Sequence, residues 1–205
     1  MNAIGFDVSH WSGFVNWDKA KQVGMEFAYF KATEGIGFVD DQLIRNIAEA
    51  QRVAIPFGVF HWFMPSVEPI TQADWFCRQV PACIGGLPHI VDVEDKKNIP
   101  VDYAGRLMKF IDRVTELTGH VPMIYTSQNY WKTYIGDVHW FRQCRLIVAN
   151  YRNDSPLVPL PWFPTCYAIW QFTHSAKGSA YGSQAKTVDL DVTNGPLANL
   201  LVSDI

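Results

Sequence analysis

The sequence lacks nearly every feature that would send a chain into a membrane, onto a nucleic acid or around a metal ion. Its N-terminus, MNAIGFDVSHW, has no basic segment followed by an apolar one of signal-peptide length, and no run elsewhere is long enough to span a bilayer. A soluble chain without membrane insertion is expected. Charges of one sign form no blocks, and the formal net charge of -3 offers no attraction to a polyanion, so no nucleic-acid partner is expected. The cysteines Cys77, Cys83, Cys144 and Cys166 are scattered, without the C-x-x-C spacing or nearby histidines of a zinc site. Buried free thiols are the simpler reading, with a Cys77–Cys83 bridge left open. The chain also has no G-x-S-x-G elbow, no G-x-x-x-x-G-K-[ST] loop, no H-E-x-x-H and no G-x-G-x-x-G after a strand. No metal and no cofactor are expected.

The chain is rich in core material. Its 205 residues are 48% hydrophobic and 14% aromatic, enough to bury one sizeable core. No internal repeat or low-complexity linker marks a boundary, so residues 1–205 are read as a single domain.

Short apolar, β-branched and aromatic runs recur: AIGFDVS (3–9), FAYFKAT (27–33), PFGVFHWF (56–63), HIVDVE (89–94), PMIYTS (122–127), RLIVANY (145–151), YAIWQFT (167–173) and TVDLDVT (187–193). Most lack strict polar alternation, as in parallel strands covered on both faces. Two helices separate early strands. VDDQLIRNIAEAQRVA carries Leu43, Ile47 and Ala50 on one stripe behind acidic residues, and 101–117 places Leu107, Phe110, Ile111, Val114 and Leu117 on one face before Gly119. Later connections are irregular: YRNDSPLVPLPWFP has four prolines, and HSAKGSAYGSQAK is rich in Gly, Ser and Ala. The pattern predicts an α/β protein, an irregular (β/α)8-like TIM barrel with eight strands and fewer than eight helices.

In such a barrel, reactive groups project from the strand ends that share one face. Asp7 ends the first run, Glu34 follows the second, Asp92 and Glu94 end the fourth, and Asp189 and Asp191 lie in the eighth. Asp92 and Glu94 are two apart, which on a strand points both the same way with Cα atoms about 6–7 Å apart. Two carboxylates in a desolvated cleft repel, so one tends to keep a proton while the other ionises. Glycosidic cleavage needs that division: an acid for the leaving oxygen and an anion near the anomeric carbon. Asp95, followed by Lys96 and Lys97, is read instead as a cap or a lysine partner. Aromatic and polar residues at strand ends, His61, Trp62, Tyr125, Tyr151, Trp170 and Gln171, suit the apolar faces and hydroxyls of an elongated carbohydrate.

These segments, GFDVSHWSGFVNW, FAYFKATEG, PFGVFHWF, IVDVE, PMIYTS, AIWQFT and TVDLDVT, together resemble the lysozymes of glycoside hydrolase family 25, the Chalaropsis-type N-acetylmuramidases. The resemblance covers almost the whole chain, and implies that residues 1–205 are a single catalytic domain, without the separate cell-wall-binding module that many family members add. It implies an irregular β/α barrel with an acidic groove, hydrolysing the β-1,4 bond between N-acetylmuramic acid and N-acetylglucosamine of bacterial peptidoglycan. Carried over, the acidic quartet is Asp7, Asp92, Glu94 and Asp189. Glu94 is then the general acid, and Asp92 the residue that stabilises the transition state or orients the substrate's 2-acetamido group. Direct attack by water, with a carboxylate as base, fits the sequence equally. His61, Tyr125, Trp170 and Glu34 are assigned to substrate binding. Asp189 is chosen over Asp191 by register, although both point to one face.

A monomer is expected. Without a signal peptide, the chain reads as a phage endolysin held in the host cytoplasm before release to the wall, or as a protein secreted without a recognisable signal. The alternatives to a muramidase are a non-catalytic carbohydrate-binding or inhibitory barrel and a metal-dependent polysaccharide deacetylase.

Overall fold

Eight strands close into a ring because each is apolar on both faces and must be covered twice, by helices outside and by its neighbours' side chains inside. The computed structural model describes residues 1–80, 84–151 and 154–202. In chain order the strands and helices are β1 (Ile4–Val8), α1 (Trp17–Gln22), β2 (Phe27–Glu34), β3 (Phe38–Val39), α2 (Leu43–Arg52), β4 (Phe57–Trp62), α3 (Pro69–Gln79), β5 (Ile90–Asp92), α4 (Tyr103–Thr118), β6 (Met123–Ser127), α5 (Gln128–Tyr134), β7 (Leu146–Ala149), β8 (Ile169–Lys177) and β9 (Thr187–Thr193). The ring runs β1-β9-β8-β7-β6-β5-β4-β2 and closes through β1–β2, while β3 hangs on β2 as a short hairpin. The eight expected strands all appear, and β3 is an addition.

The ring is mixed. Within it β1, β2 and β4 through β8 pair in parallel with their neighbours, but β9 runs antiparallel to both β8 and β1. The reason is in the connection: β8 continues through His174 to Lys177, and one 3-10 turn, Gly178–Ala180, leads back into β9. That span is too short for a parallel crossover, which needs about a dozen residues or more. The HSAK part of the Gly/Ser/Ala-rich segment is therefore strand.

Two cores follow from strand alternation. On β2, Ala28, Phe30 and Ala32 face the helices, where they join Leu107, Phe110, Ile111 and Val114 of α4. Phe27 and Tyr29 face inward and fill the barrel with Ile90, Met123, Ile147 and Ile169. Gly58 makes room there, since a Cβ on it would lie 2.3 Å from the Tyr29 ring. Helix α4 stops where Gly119 takes up a left-handed conformation with φ 75°. Leu117, expected on its buried face, is 44% exposed. Helix α2 begins at Leu43, so Asp40 and Asp41 precede it instead of forming its first turn; Asp40 accepts the Gln42 N–H at 3.0 Å. Of the cysteines, Cys83 lies outside the described residues, while Cys77, Cys144 and Cys166 are free thiols.

Candidate active site

At the mouth of the barrel a cavity of about 370 Å³ is lined by seven carboxylates, Asp7, Glu34, Asp92, Glu94, Asp95, Asp189 and Asp191, and by two lysines, Lys31 and Lys97. The strands deliver these groups by alternation. On β5, Ile90 and Asp92 face inward while Val91 packs against the helices, and the ladder continues one step beyond through the Val93 N–H to the Tyr125 carbonyl at 2.9 Å. That keeps Val93 outside and brings Glu94 to the same side as Asp92. On β9 the inward pair is Asp189 and Asp191. Because β9 enters from the mouth, its first acid is the shallower one and Asp191 lies deeper, only 3% exposed.

Strand β2 reaches the mouth through an irregularity. Its register against β4 shifts between Lys31 and Thr33, so Lys31 and Glu34, three residues apart, both face the cavity and form an ion pair of 2.6 Å. The Lys31 ammonium also lies 5.2 Å from the ring centres of Phe38 and of Trp62.

Hydrogen bonds tie the opposite wall together. The hydroxyls of Tyr125 and Tyr151 both donate to Gln171 Oε1, at 2.9 and 2.8 Å, and Gln171 Nε2 donates to Asp7 Oδ2 at 2.7 Å. At the rim Trp11 is 80% exposed and packs 4.6 Å from the His10 ring, which Asp40 holds at 2.7 Å.

Five of the acids are displaced in one direction. Burial, then the Asp189 charge, pushes Asp7 up to about 8, against the hydrogen bond from Gln171. Asp92 is raised well above the usual carboxylate range by burial and by Glu94 and Asp7, with Lys31 opposing. Glu94 is raised by burial and by Asp189, with Lys96 and Lys31 opposing. Burial raises Asp189, and burial with Asp7 and Asp189 raises Asp191 well above the usual range. A cavity with this many acids and this little cationic charge holds protons near neutral pH, which is what proton donation to a leaving group requires.

The structure brings together Asp7, Asp92, Glu94, Asp189, Tyr125 and Glu34. It does not bring His61 or Trp170 to them. His61 is fully buried on the helix side of β4, bonded to Thr33 Oγ1 at 2.7 Å and stacked 4.9 Å from Phe110; its neighbours Phe60 and Trp62 take the inward positions. Burial pushes the His61 imidazole down to about 3, so it sits there neutral. Trp170 likewise faces outward and donates to the Asn150 carbonyl at 2.6 Å, while Ile169 and Gln171 point in. Both groove assignments are corrected by the pleat: adjacent residues on a strand occupy opposite faces. Asp95 neither caps α4 nor meets a lysine side chain; it is 5% exposed and accepts the backbone N–H of Lys97 at 3.0 Å.

Lys31, Lys97 and Trp11 line the cavity without any assignment from sequence; Trp62 lines it and Gln171 bonds Asp7, although the sequence marks them only as strand-end residues suited to a carbohydrate, and Asp191 lies there beside the preferred Asp189. Asp191 and Trp62 were reachable, since Asp191 shares its face with Asp189 and a single fixed inward residue on β4 assigns the rest. Lys31 was not, because the bulge that turns it inward has no sequence mark. Among the described residues, no group of three or more His, Cys, Asp or Glu has the geometry to hold a metal ion.

Comparison with known proteins places this geometry among relatives. Residues 6–181 match the family model described as Glycosyl hydrolases family 25. Lysozyme M1 of Streptomyces globisporus is 33% identical over 214 residues, an alignment that covers 96% of this chain and 69% of that protein. The structure of a bacterial lysozyme from Streptomyces coelicolor superposes with a TM-score of 0.84 at 30% identity, covering 97% of this chain and 94% of the other. A muramidase from Trichobolus zukalii gives a TM-score of 0.85 at 29% identity, covering 97% and 96%.

Proposed function

The chain belongs to glycosyl hydrolases family 25, and from that premise we propose that it is a muramidase that hydrolyses the β-1,4 bond between N-acetylmuramic acid and N-acetylglucosamine in bacterial peptidoglycan. The observation that carries this reading is the pair Asp92 and Glu94, aimed by one strand end into a cavity whose far wall holds Asp7 and Asp189.

Glu94 is the general acid. It is the less buried of the two, and burial and the Asp189 charge shift it toward the protonated form. It delivers that proton to the glycosidic oxygen as the bond breaks. Asp92 lies deeper, 6% exposed, with Oδ1 free of any hydrogen bond. The part of its carboxyl group that lines the cavity meets the 2-acetamido group of the sugar, which it orients and stabilises as positive charge grows at the anomeric carbon. Asp7 and Asp189 hold substrate or water on the other side. Tyr125 and Trp62 present apolar faces to the sugar, and Glu34, paired with Lys31, presents a polar one. The site of action is the cell wall.

Clearing of a purified cell-wall suspension tests the reaction, with product analysis on a defined muropeptide: new reducing ends should appear at muramic acid. Glu94→Gln should lower the rate by about a hundredfold or more. An unchanged rate in that variant would remove Glu94 from the role of acid, and absence of clearing by the unmodified protein would favour a barrel that binds the polymer without cutting it.

A further inference from the structure

Beneath the pair assigned to bond cleavage, the barrel floor holds a second pair of carboxyl groups, Asp7 and Asp191. Strands β1 and β9 place them together: Gly5 pairs with Asp191, and Asp7 lies two residues farther along β1, toward the mouth. Both line the same cavity and meet across the β1–β9 ladder, close enough for each carboxyl group to act on the other's proton. A hydrogen bond between carboxyl groups requires that one of them carry a proton.

The neighbours decide which one. Gln171 stands opposite Asp191 in the β8–β9 register and donates Nε2 to Asp7 Oδ2 at 2.7 Å. Its amide oxygen accepts from Tyr125 and Tyr151, which turns Nε2 toward Asp7. Asp7 is thus the acceptor on that side and, of the two, the easier to ionise. Asp191 has no such donor. It is 3% exposed, and the ionisable groups that face it are Asp7 from β1, Tyr29 from β2 and Asp189 from its own strand. None of these is a cation. Lys31, from β2, is engaged by Glu34 at 2.6 Å.

We propose that Asp191 is a positioning residue that keeps its proton on the barrel floor and donates it to Asp7, so that it fixes where Asp7 points and at what pH Asp7 ionises. Asp191 never touches the sugar. It acts through Asp7, which then has one donor on each side, an amide and a carboxylic acid.

This inference rests on the muramidase reading only for the role of Asp7, and its test does not need turnover. Carboxyl 13C NMR of aspartate-labelled protein, titrated with pH, follows the acids individually. In Asp191→Asn the amide still donates to Asp7, so the Asp7 midpoint should stay within about half a pH unit of the unmodified protein and only a higher-pH step should disappear. In Asp191→Leu the donor is gone, and the Asp7 midpoint should rise by about one pH unit or more, the size of a lost hydrogen bond to a charged group. Loss of the lower-pH step in Asp191→Asn would reverse the assignment of the proton and overturn the proposal. So would an unmoved Asp7 midpoint in Asp191→Leu. Should the leucine variant fail to fold, the asparagine titration decides alone. The expected titrations in a protein that clears no cell wall would leave the proton on Asp191 and sink the muramidase reading instead.

Discussion

The acids at the barrel mouth and those on the outer surface obey opposite rules. On the surface Arg52 binds Asp18 at 2.7 Å and Glu49 at 2.9 Å, and Arg113 binds Asp74 at 2.7 Å and Glu116 at 2.8 Å. The arginine holds Asp18 and Glu49 below their ordinary values. At the mouth seven carboxylates share two lysines, and Asp7, Asp92, Glu94, Asp189 and Asp191 are all displaced upward, with burial the largest cause of each. Surface anions are at home in the folded state. Mouth anions are not: folding removes their water and brings them near one another, so each opposes stability once ionised. Such a cluster makes sense as a place to hold protons for chemistry, with the two cores supplying the stability that it takes away.

The contrast yields a graded set of expectations. The largest concerns Asp92→Asn, which should reduce cell-wall clearing by about a hundredfold, the scale of losing a group that stabilises transition-state charge. The same variant should be more thermally stable than the unmodified protein, which separates a catalytic loss from a folding loss. A middle-sized effect lies in the pH dependence of that gain. Because the folded-state value of Asp92 lies above its unfolded value of 3.8, the native state binds the extra proton and the unmodified protein loses stability as pH rises through the interval between them. The melting-temperature advantage of Asp92→Asn should therefore be near zero at about pH 4 and grow toward neutrality. A constant advantage at every pH would show that relief of ionisation is not its source. The smallest effect belongs to Arg52→Ala, which breaks two exposed ion pairs. It should move the melting temperature by no more than a few degrees, and roughly 0.5 M salt should erase the difference. A large, salt-resistant change there would blur the distinction between the two regions.

The positions of the strands were legible because a strand buried on both faces leaves a run that no loop would carry. IVDVE and TVDLDVT also announced their acids, since a carboxylate inside such a run needs a reason. The same double burial hid which way each side chain points. In FGVFHWF the residues facing the helices, Phe57, Val59, His61 and Phe63, are as apolar or aromatic as Phe60 and Trp62, which face the cavity. His61 drew attention by its chemistry, yet it serves as a neutral core residue between Thr33 and Gln72. In AIWQFT the eye goes to Trp170, while Gln171 makes the contact with Asp7.

From its composition and runs alone the chain determined a barrel of two-faced strands, two of its covering helices, α2 and α4, and a set of acids at the strand ends. Those are local properties, set by whether a segment of a few residues can live in water. Only the closed ring decided the rest. It turned β9 around because its connection is short, shifted β2 by a bulge so that Lys31 meets Glu34, and stacked Asp191 beneath Asp189 and beside Asp7. Each of these depends on which strand lies next to which, and the proton held among the acids depends on distances between residues more than a hundred and eighty positions apart.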